Sequence, residues 1–324
     1  MRLSVLDQTP GIEGEPEQQG FIRSLALARH CEALGYHRYW VGEHHDSASF
    51  LGCAPEVLLG ALTQVTTRMR LGAGAVQLPH YAPYKVAEQF AVLDALAPGR
   101  IDIGLGKSPG EPHVQAALRR GAAPPPFLDD VQAVLDYLAD GVAHEGVTVR
   151  AHPVGAAATV WMMGGSEAAA RDAARLGLPY CHNYSDRAAT AEAAMAVYRA
   201  EFVPSPTLAE PYAAAMVWAL VAPDAEEAEI LFRPRQHWRV MLSRGHRVPA
   251  LPPHAFDPAA YTEAERALLA AQRDHAFVGA TGAVAEALET LAARLGVEEL
   301  VVCGWTHDEA ARQRSYTLLA EALL

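Results

Sequence analysis

Residues 160–183 read VWMMGGSEAAARDAARLGLPYCHN. A short aliphatic and aromatic run, Val160 to Met163, reads as a strand and gives way to Gly164-Gly165-Ser166. The alanine-rich stretch Glu167 to Leu176 then reads as a helix, and Pro179 to Asn183 as a second strand. Ser166 suits the N-cap of that helix, since its hydroxyl can accept a first-turn backbone N–H.

The same alternation continues in both directions. Upstream, Leu3–Leu6, Tyr39–Gly42, Met69–Leu78 and Arg100–Leu105 read as strands. Helical patterns cover Phe21–Leu34, Ala54–Val65 and Val86–Leu96, with further segments near Val114–Arg120 and Leu128–Leu138. Downstream come a helix at Ala188–Phe202, a seventh strand at Tyr212–Val221, an eighth at Glu299–Cys303 and a closing helix at Asp308–Leu323. Eight strands alternating with helices predict an α/β protein, a (β/α)8 TIM barrel formed by residues 1–324 as a single domain. A doubly wound sheet would fit each unit locally but rarely needs eight of them. Residues 233–276 break the rhythm with Pro234, Pro249, Pro252, Pro253 and Pro258. They read as an insertion between the seventh strand and its helix, forming a partial lid. Pro124-Pro125-Pro126 reads as a stiff local turn.

Composition narrows the function. The chain of 324 residues is 51% hydrophobic, which is ordinary globular composition, and carries a net charge of −12. That charge excludes the basic surfaces that hold nucleic acid or anionic membranes. Cys31, Cys53, Cys181 and Cys303 are scattered, with neither zinc spacing nor a disulfide framework, and read as buried free thiols. The start, Met1 to Asp7, lacks the layout of a signal peptide, and no apolar run reaches the roughly 20 residues needed to span a bilayer. The cytoplasm is the expected location.

In such a barrel the functional residues follow the strands, at the carboxyl-end face. That rule selects Asp7-Gln8, Glu43-His44-His45-Asp46, Gln77 to His80, Gly106-Lys107-Ser108, Gly164-Gly165-Ser166, His182-Asn183-Tyr184 and Trp305 to Asp308. The two histidines admit three readings. Adjacent side chains at a strand end point to opposite faces, which disfavours a shared metal ion. One ring could face the helices and the other solvent, or one could move protons, as imidazole titrates near working pH. Gly104-Leu105-Gly106-Lys107-Ser108 is not a P-loop, because Ile101 stands where its first glycine belongs. Nor is it a dinucleotide fingerprint, because Pro109 fills the last glycine slot. Lys107 could still offer a point charge to a phosphate or be an incidental surface lysine. Gly165-Ser166 opens a helix whose N-terminus favours anions, or is simply capped. These two features follow the fourth and fifth strands, which are neighbours in a barrel. Gly72 and Gly74 inside the third strand suggest a bulge or a close approach. Trp305 and Tyr184 face a cofactor or pack, and Met162 and Met163 read as core.

Together the motifs resemble the bacterial-luciferase-like flavin-dependent monooxygenases, over nearly the whole chain. The resemblance rests on Leu6-Asp7-Gln8, Gly35-Tyr36, Tyr39 to His45, Ala54 to Val57, Leu78-Pro79-His80, Lys85 to Gln89 and Pro98 to Asp102. It continues through the Gly104-Leu105-Gly106 turn, Gly164-Gly165-Ser166, Leu176 to Pro179, Thr306-His307-Asp308 and Arg314-Ser315-Tyr316. It implies FMN at the barrel mouth, arriving reduced from a separate flavin reductase. It further implies reaction with O2 to a C4a-peroxyflavin and oxygenation of a mid-sized, largely apolar organic substrate such as a secondary metabolite. By the same resemblance Lys107, Gly164, Gly165 and Ser166 hold the phosphate, and His44 is catalytic with His45 in support. A non-prolyl cis peptide falls at Gly74-Ala75 beneath the flavin, and Asn183 and Tyr184 stand near the ring. A homodimer is implied, and no metal. Gly106 occupies the position of the luciferases' reactive cysteine, and Gly165 that of an acid, so light emission from long-chain aldehydes is not implied. The alternatives are a deazaflavin-dependent hydride-transfer enzyme, a flavin-binding protein without turnover and a metal-dependent barrel hydrolase.

Overall fold

The computed structural model describes residues 1–108, 110–119, 123 and 125–324. Pro109, the end of the expected helix at Arg120, and Pro124 of the expected stiff turn lie outside the described residues.

The chain runs β1 (Arg2–Asp7), α1 (Gln18–Leu34), β2 (Arg38–Val41), α2 (Pro55–Thr63), β3 (Arg70–Gln77), α3 (Pro83–Leu96) and β4 (Ile101–Gly106). Then come α4 (Pro112–Arg119), α5 (Phe127–Leu138), the hairpin β5 (Val142–His144) and β6 (Val147–Val149), β7 (Thr159–Gly164), α6 (Glu167–Arg175) and β8 (Tyr180–Asn183). The remainder is α7 (Tyr184–Arg187), α8 (Ala191–Ala200), β9 (Ala213–Ala222), α9 (Ala225–Ser243), α10 (Glu263–Arg273), β10 (Ala276–Ala280), α11 (Thr281–Leu295), β11 (Glu299–Cys303) and α12 (Glu309–Leu323).

Parallel pairing in the order β11-β1-β2-β3-β4-β7-β8-β9, with β9 returning to β11, closes a (β/α)8 barrel. The long β9 pairs with β11 along its first half and with the extra strand β10 along its second, Trp218 standing at the changeover. Helix caps follow the sequence. Ser166 accepts the Ala169 N–H, Asp224 the Glu227 N–H, and Gly35 ends α1 at φ 90°.

Side chains alternate across each strand, as the pleat requires. On β2, Tyr39 and Val41 join the layer between strands and helices, while Trp40 enters the interior with Leu6, Trp161 and Trp218. Met162 is fully buried in the outer layer, and Met163 packs half-buried against the interior cluster. Gly72 is the expected close approach: a Cβ there would lie 2.5 Å from the Asp102 carbonyl oxygen. The register of β3 against β4 shifts between Ala73 and Val76.

Three differences from the sequence reading stand out. Cys53 is exposed, while the other three thiols are buried. The region 233–276 is more helical than its prolines suggest. Helix α9 begins just after β9 and carries Pro234 in its interior, so the irregular segment starts at Arg244. A helical proline costs one backbone bond, about 3 kcal/mol, and burial of Ala228, Leu231, Phe232 and Pro234 on one face opposes that loss. The hairpin, β10, α10 and α11 are additions.

Candidate functional site

A cavity of about 900 Å³ opens at the carboxyl ends of the strands. Its first bank follows β1 to β3. Strand β2 stops at Val41, so the strand pleat does not govern residues 42–45, and His44 and His45 both line the cavity. Their contacts nonetheless differ: His44 meets Phe50, and His45 meets Glu43 and His80. The His44 ring packs on Phe50 with centroids 4.7 Å apart, and its Nδ1 is buried with no hydrogen-bond partner. Burial lowers its pKa to about 4, so the ring is neutral at working pH. His45 Nε2 lies 2.6 Å from Glu43 Oε1, which also accepts the Tyr81 hydroxyl at 2.7 Å. The second Glu43 oxygen accepts the Gln77 backbone N–H at 2.8 Å. The buried carboxylate thus locks His45 to the exit of β3, an orienting role that sequence reading missed because Tyr81 and Glu43 carry no spacing signal.

Small residues gather where β3 and β4 end, outside the cavity's own lining: Gly74, Ala75 and Gly106. The Gly74–Ala75 peptide is cis, and a Cβ on Gly106 would lie 3.1 Å from the Ala75 methyl. A Cβ on Gly74 would lie 3.0 Å from a Leu6 methyl and 3.2 Å from Trp40, so a larger residue there would push on the interior cluster.

The second bank is the corner after β4 and β7, which pair directly. Ser166 caps α6 and keeps its hydroxyl proton free to donate. Gly164 lets the strand end meet α6, since a Cβ there would sit 2.6 Å from the Ala169 methyl. Lys107 is exposed beside Ser108, which lines the cavity. The side chain of Arg187 lies against Gly165, where an added Cβ would meet it at 2.3 Å. Among the described residues neither Lys107 nor Arg187 makes an ion pair. Thr190 Oγ1 donates to the Gly165 carbonyl at 2.8 Å, and His182 Nε2 lies 3.0 Å from the Arg187 carbonyl. His182 therefore buttresses the corner from a fully buried position. Arg187 is a cation that sequence reading missed, because it follows the short helix after β8 rather than the strand itself.

The remaining residues divide. Asn183 lines the cavity, and its side chain caps α7. Tyr184 belongs to the outer layer and accepts a hydrogen bond from Arg294 at 3.2 Å, so it does not face the cavity. Asp7 is spent on Arg312 at 2.7 Å and on Tyr39, while Gln8 lines the cavity. Trp305 is buried and donates to Gln8 at 3.1 Å. The third bank is helix α9, whose Arg235, Trp238, Arg239 and Leu242 line the cavity. Across the mouth, Val248 accepts the Ser49 hydroxyl and Arg247 pairs with Glu111. Among the described residues no cluster of three metal-ligating side chains occurs, and no helix is long and apolar enough to cross a membrane.

Residues 1–311 match the family described as luciferase-like monooxygenase. The chain belongs to the luciferase-like monooxygenases. A luciferase-like monooxygenase of Escherichia coli K12 is 34% identical over 98% of this chain and 95% of its own. An N-acetyl-S-alkylcysteine monooxygenase of Bacillus subtilis is 33% identical over 100% and 98%. The apo structure of MsnO8 superposes with a TM-score of 0.88 at 32% identity, covering 99% and 98% of the two chains. Two remoter structures share the fold. One is the oxygenating component of a Pseudomonas putida Baeyer–Villiger monooxygenase in complex with FMN (18% identity, TM-score 0.74, covering 100% and 98%). The other is an F420-dependent secondary alcohol dehydrogenase (14%, 0.68, 100% and 99%). As a luciferase-like monooxygenase the protein is an enzyme of a flavin-using family. The residues present are compatible with such a group: an imidazole whose Nδ1 has no partner, and Arg187 packed against Gly165 at the start of a capped helix, where an anionic tail would be favoured.

Proposed function

We propose that this luciferase-like monooxygenase takes FMN already reduced by a separate reductase, together with O2. One oxygen atom enters a mid-sized, largely apolar organic substrate and the other leaves as water. The observation that supports this most strongly is the corner after the adjacent strands β4 and β7, where Arg187 packs on Gly165 at a capped helix start and, among the described residues, neither it nor Lys107 makes an ion pair. A phosphate suits that site better than water does, through charge-assisted bonds and the helix dipole.

Bound reduced flavin supplies the electrons that activate O2. The protein supplies position and dryness. Gly74, Ala75 and Gly106 leave room for the ring, and the Gly165 and Ser166 backbone with Lys107 and Arg187 holds the phosphate. His44, neutral and with one nitrogen unpartnered, holds or accepts a proton at Nδ1. His45, oriented by Glu43, supports it. The segment from Arg244 to His275 covers the mouth and limits the water that would waste the activated oxygen. A cytoplasmic homodimer is the form we expect, and sedimentation checks the assembly.

The test is titration of the purified chain with FMN and with a deazaflavin coenzyme, followed by aerobic turnover with a flavin reductase. N-acetyl-S-benzylcysteine is a suitable first substrate, being of the compound class in the Bacillus subtilis relative's name. Binding and oxygenation with FMN are expected. Hydride transfer from the deazaflavin alone would overturn the reading, as would flavin binding with hydrogen peroxide as the sole product across a substrate panel.

A further inference from the structure

Helix α9 presents Arg235, Trp238, Arg239 and Leu242 to the cavity at positions i, i+3, i+4 and i+7, one face of a helix. Arg235 is only 6% exposed, yet among the described residues no carboxylate lies within ion-pair distance of it. Its guanidinium stands 4.5 Å from the Trp218 ring centroid and 5.7 Å from that of Trp238. Its Nε is buried without a partner, and so are Trp238 Nε1 and, across the cavity wall, Gln272 Oε1. Arg239, one turn on, is half-buried and makes no ion pair among the described residues. Two arginines at i and i+4 repel each other. A buried unpaired charge is costly, and natural proteins retain one chiefly where a ligand completes it. Arg235 stacks on Trp218 of β9, the seventh barrel strand, whereas Lys107 and Ser166 follow the fourth and fifth; Arg187 and Asp186, after the sixth, line the same cavity between them.

We propose that Arg235, with Trp238 Nε1 and Arg239, forms a carboxylate subsite, so that the substrate is a monoanion with an apolar arm. The planar guanidinium offers two parallel N–H bonds to a carboxylate, and the indole N–H offers a third. The apolar arm lies toward Phe50 and Leu242. This deepens the monooxygenase reading and rests on it for the identity of the ligand as substrate.

The experiment compares 4-phenylbutyrate and N-acetyl-S-benzylcysteine with their primary amides. Binding to the full chain is measured by calorimetry and tryptophan fluorescence, and FMN affinity is measured separately by flavin quenching. The acids are expected to bind at least about tenfold more tightly than the amides. Arg235→Met is expected to erase that preference, Arg235→Lys to keep part of it, and Arg239→Gln to reduce it, all with FMN affinity unchanged. Thermal melting establishes that each variant is folded, and the lysine variant stands in should the methionine one fail. Equal binding of acid and amide, no binding of either, or loss of FMN affinity in Arg235→Lys overturns the proposal. Failure of FMN to bind the wild-type chain instead overturns the flavin reading, while an intact acid preference would keep the subsite.

Discussion

The two ends of the barrel differ in how completely their buried polar groups are satisfied. At the amino-terminal end, Asp102 receives Arg38 and Arg70, each at 2.6 Å, and the Trp40 indole. Glu299 receives Arg38, Ser4 and Tyr212. Each carboxylate there is met by several donors from neighbouring strands. At the mouth, His44 Nδ1, His80 Nδ1, Arg235 Nε and Trp238 Nε1 are buried and left over. The first arrangement closes on itself and specifies the fold. The second leaves buried donors and acceptors without partners, and the contrast locates function more sharply than the shape of the cavity does.

The contrast can be broken by experiment. The largest expected effect is at the mouth: His44→Ala should lower product formation by about 10²–10⁴-fold, the usual worth of a positioned proton-handling group. FMN affinity should stay near wild type. Unchanged product yield with wild-type flavin oxidation in stopped flow would remove His44 from the chemistry. Next comes the closed end, where Asp102→Ala deprives Arg70 of its carboxylate and leaves Arg38 with Glu299 alone, and should cost about 3 kcal/mol in chemical denaturation. Arg235→Met, which removes a buried charge held only by two indole faces and by no ion pair among the described residues, should by the same measurement cost less than about 1 kcal/mol. Similar losses for both would erase the distinction between the ends.

Smaller effects sharpen it. Lys107→Ala and Arg187→Ala should each weaken FMN binding about tenfold and leave riboflavin affinity unaltered, since only the phosphate is lost. Equal weakening for both ligands would place these side chains elsewhere on the coenzyme. A further effect concerns acid stability. His44 has a folded pKa of about 4, below its ordinary value of 6.5, so the unfolded chain takes up the proton first. Stability should therefore fall as pH drops from about 6.5 toward 4. His44→Asn should flatten that limb by up to one proton, measured as denaturation midpoints across the window.

Much of this was legible in the residues. Period-two and helical runs placed all eight barrel strands, and the strand-exit rule brought His44, His45, Gln8, Gln77, Ser108 and Asn183 to one cavity. What escaped notice did so for physical reasons. Helix α9 was hidden by Pro234, a local breaker overruled by the burial of its apolar face. Arg187 and Arg235 were hidden because nothing in a linear pattern marks an arginine as unpaired; that depends on which carboxylates folding brings near. Tyr184 sits one residue past a strand and turns outward, where helix geometry rather than the pleat sets its direction.

Thr306 bonds to the Leu231 carbonyl at 2.7 Å, fastening α9 to the exit of β11, while Thr190 and His182 brace the opposite corner from another part of the chain. The wall that would choose a guest and the cradle that would keep the coenzyme are thus hung from different hinges. Descent with modification can recut the former for a new compound while inheriting the latter intact.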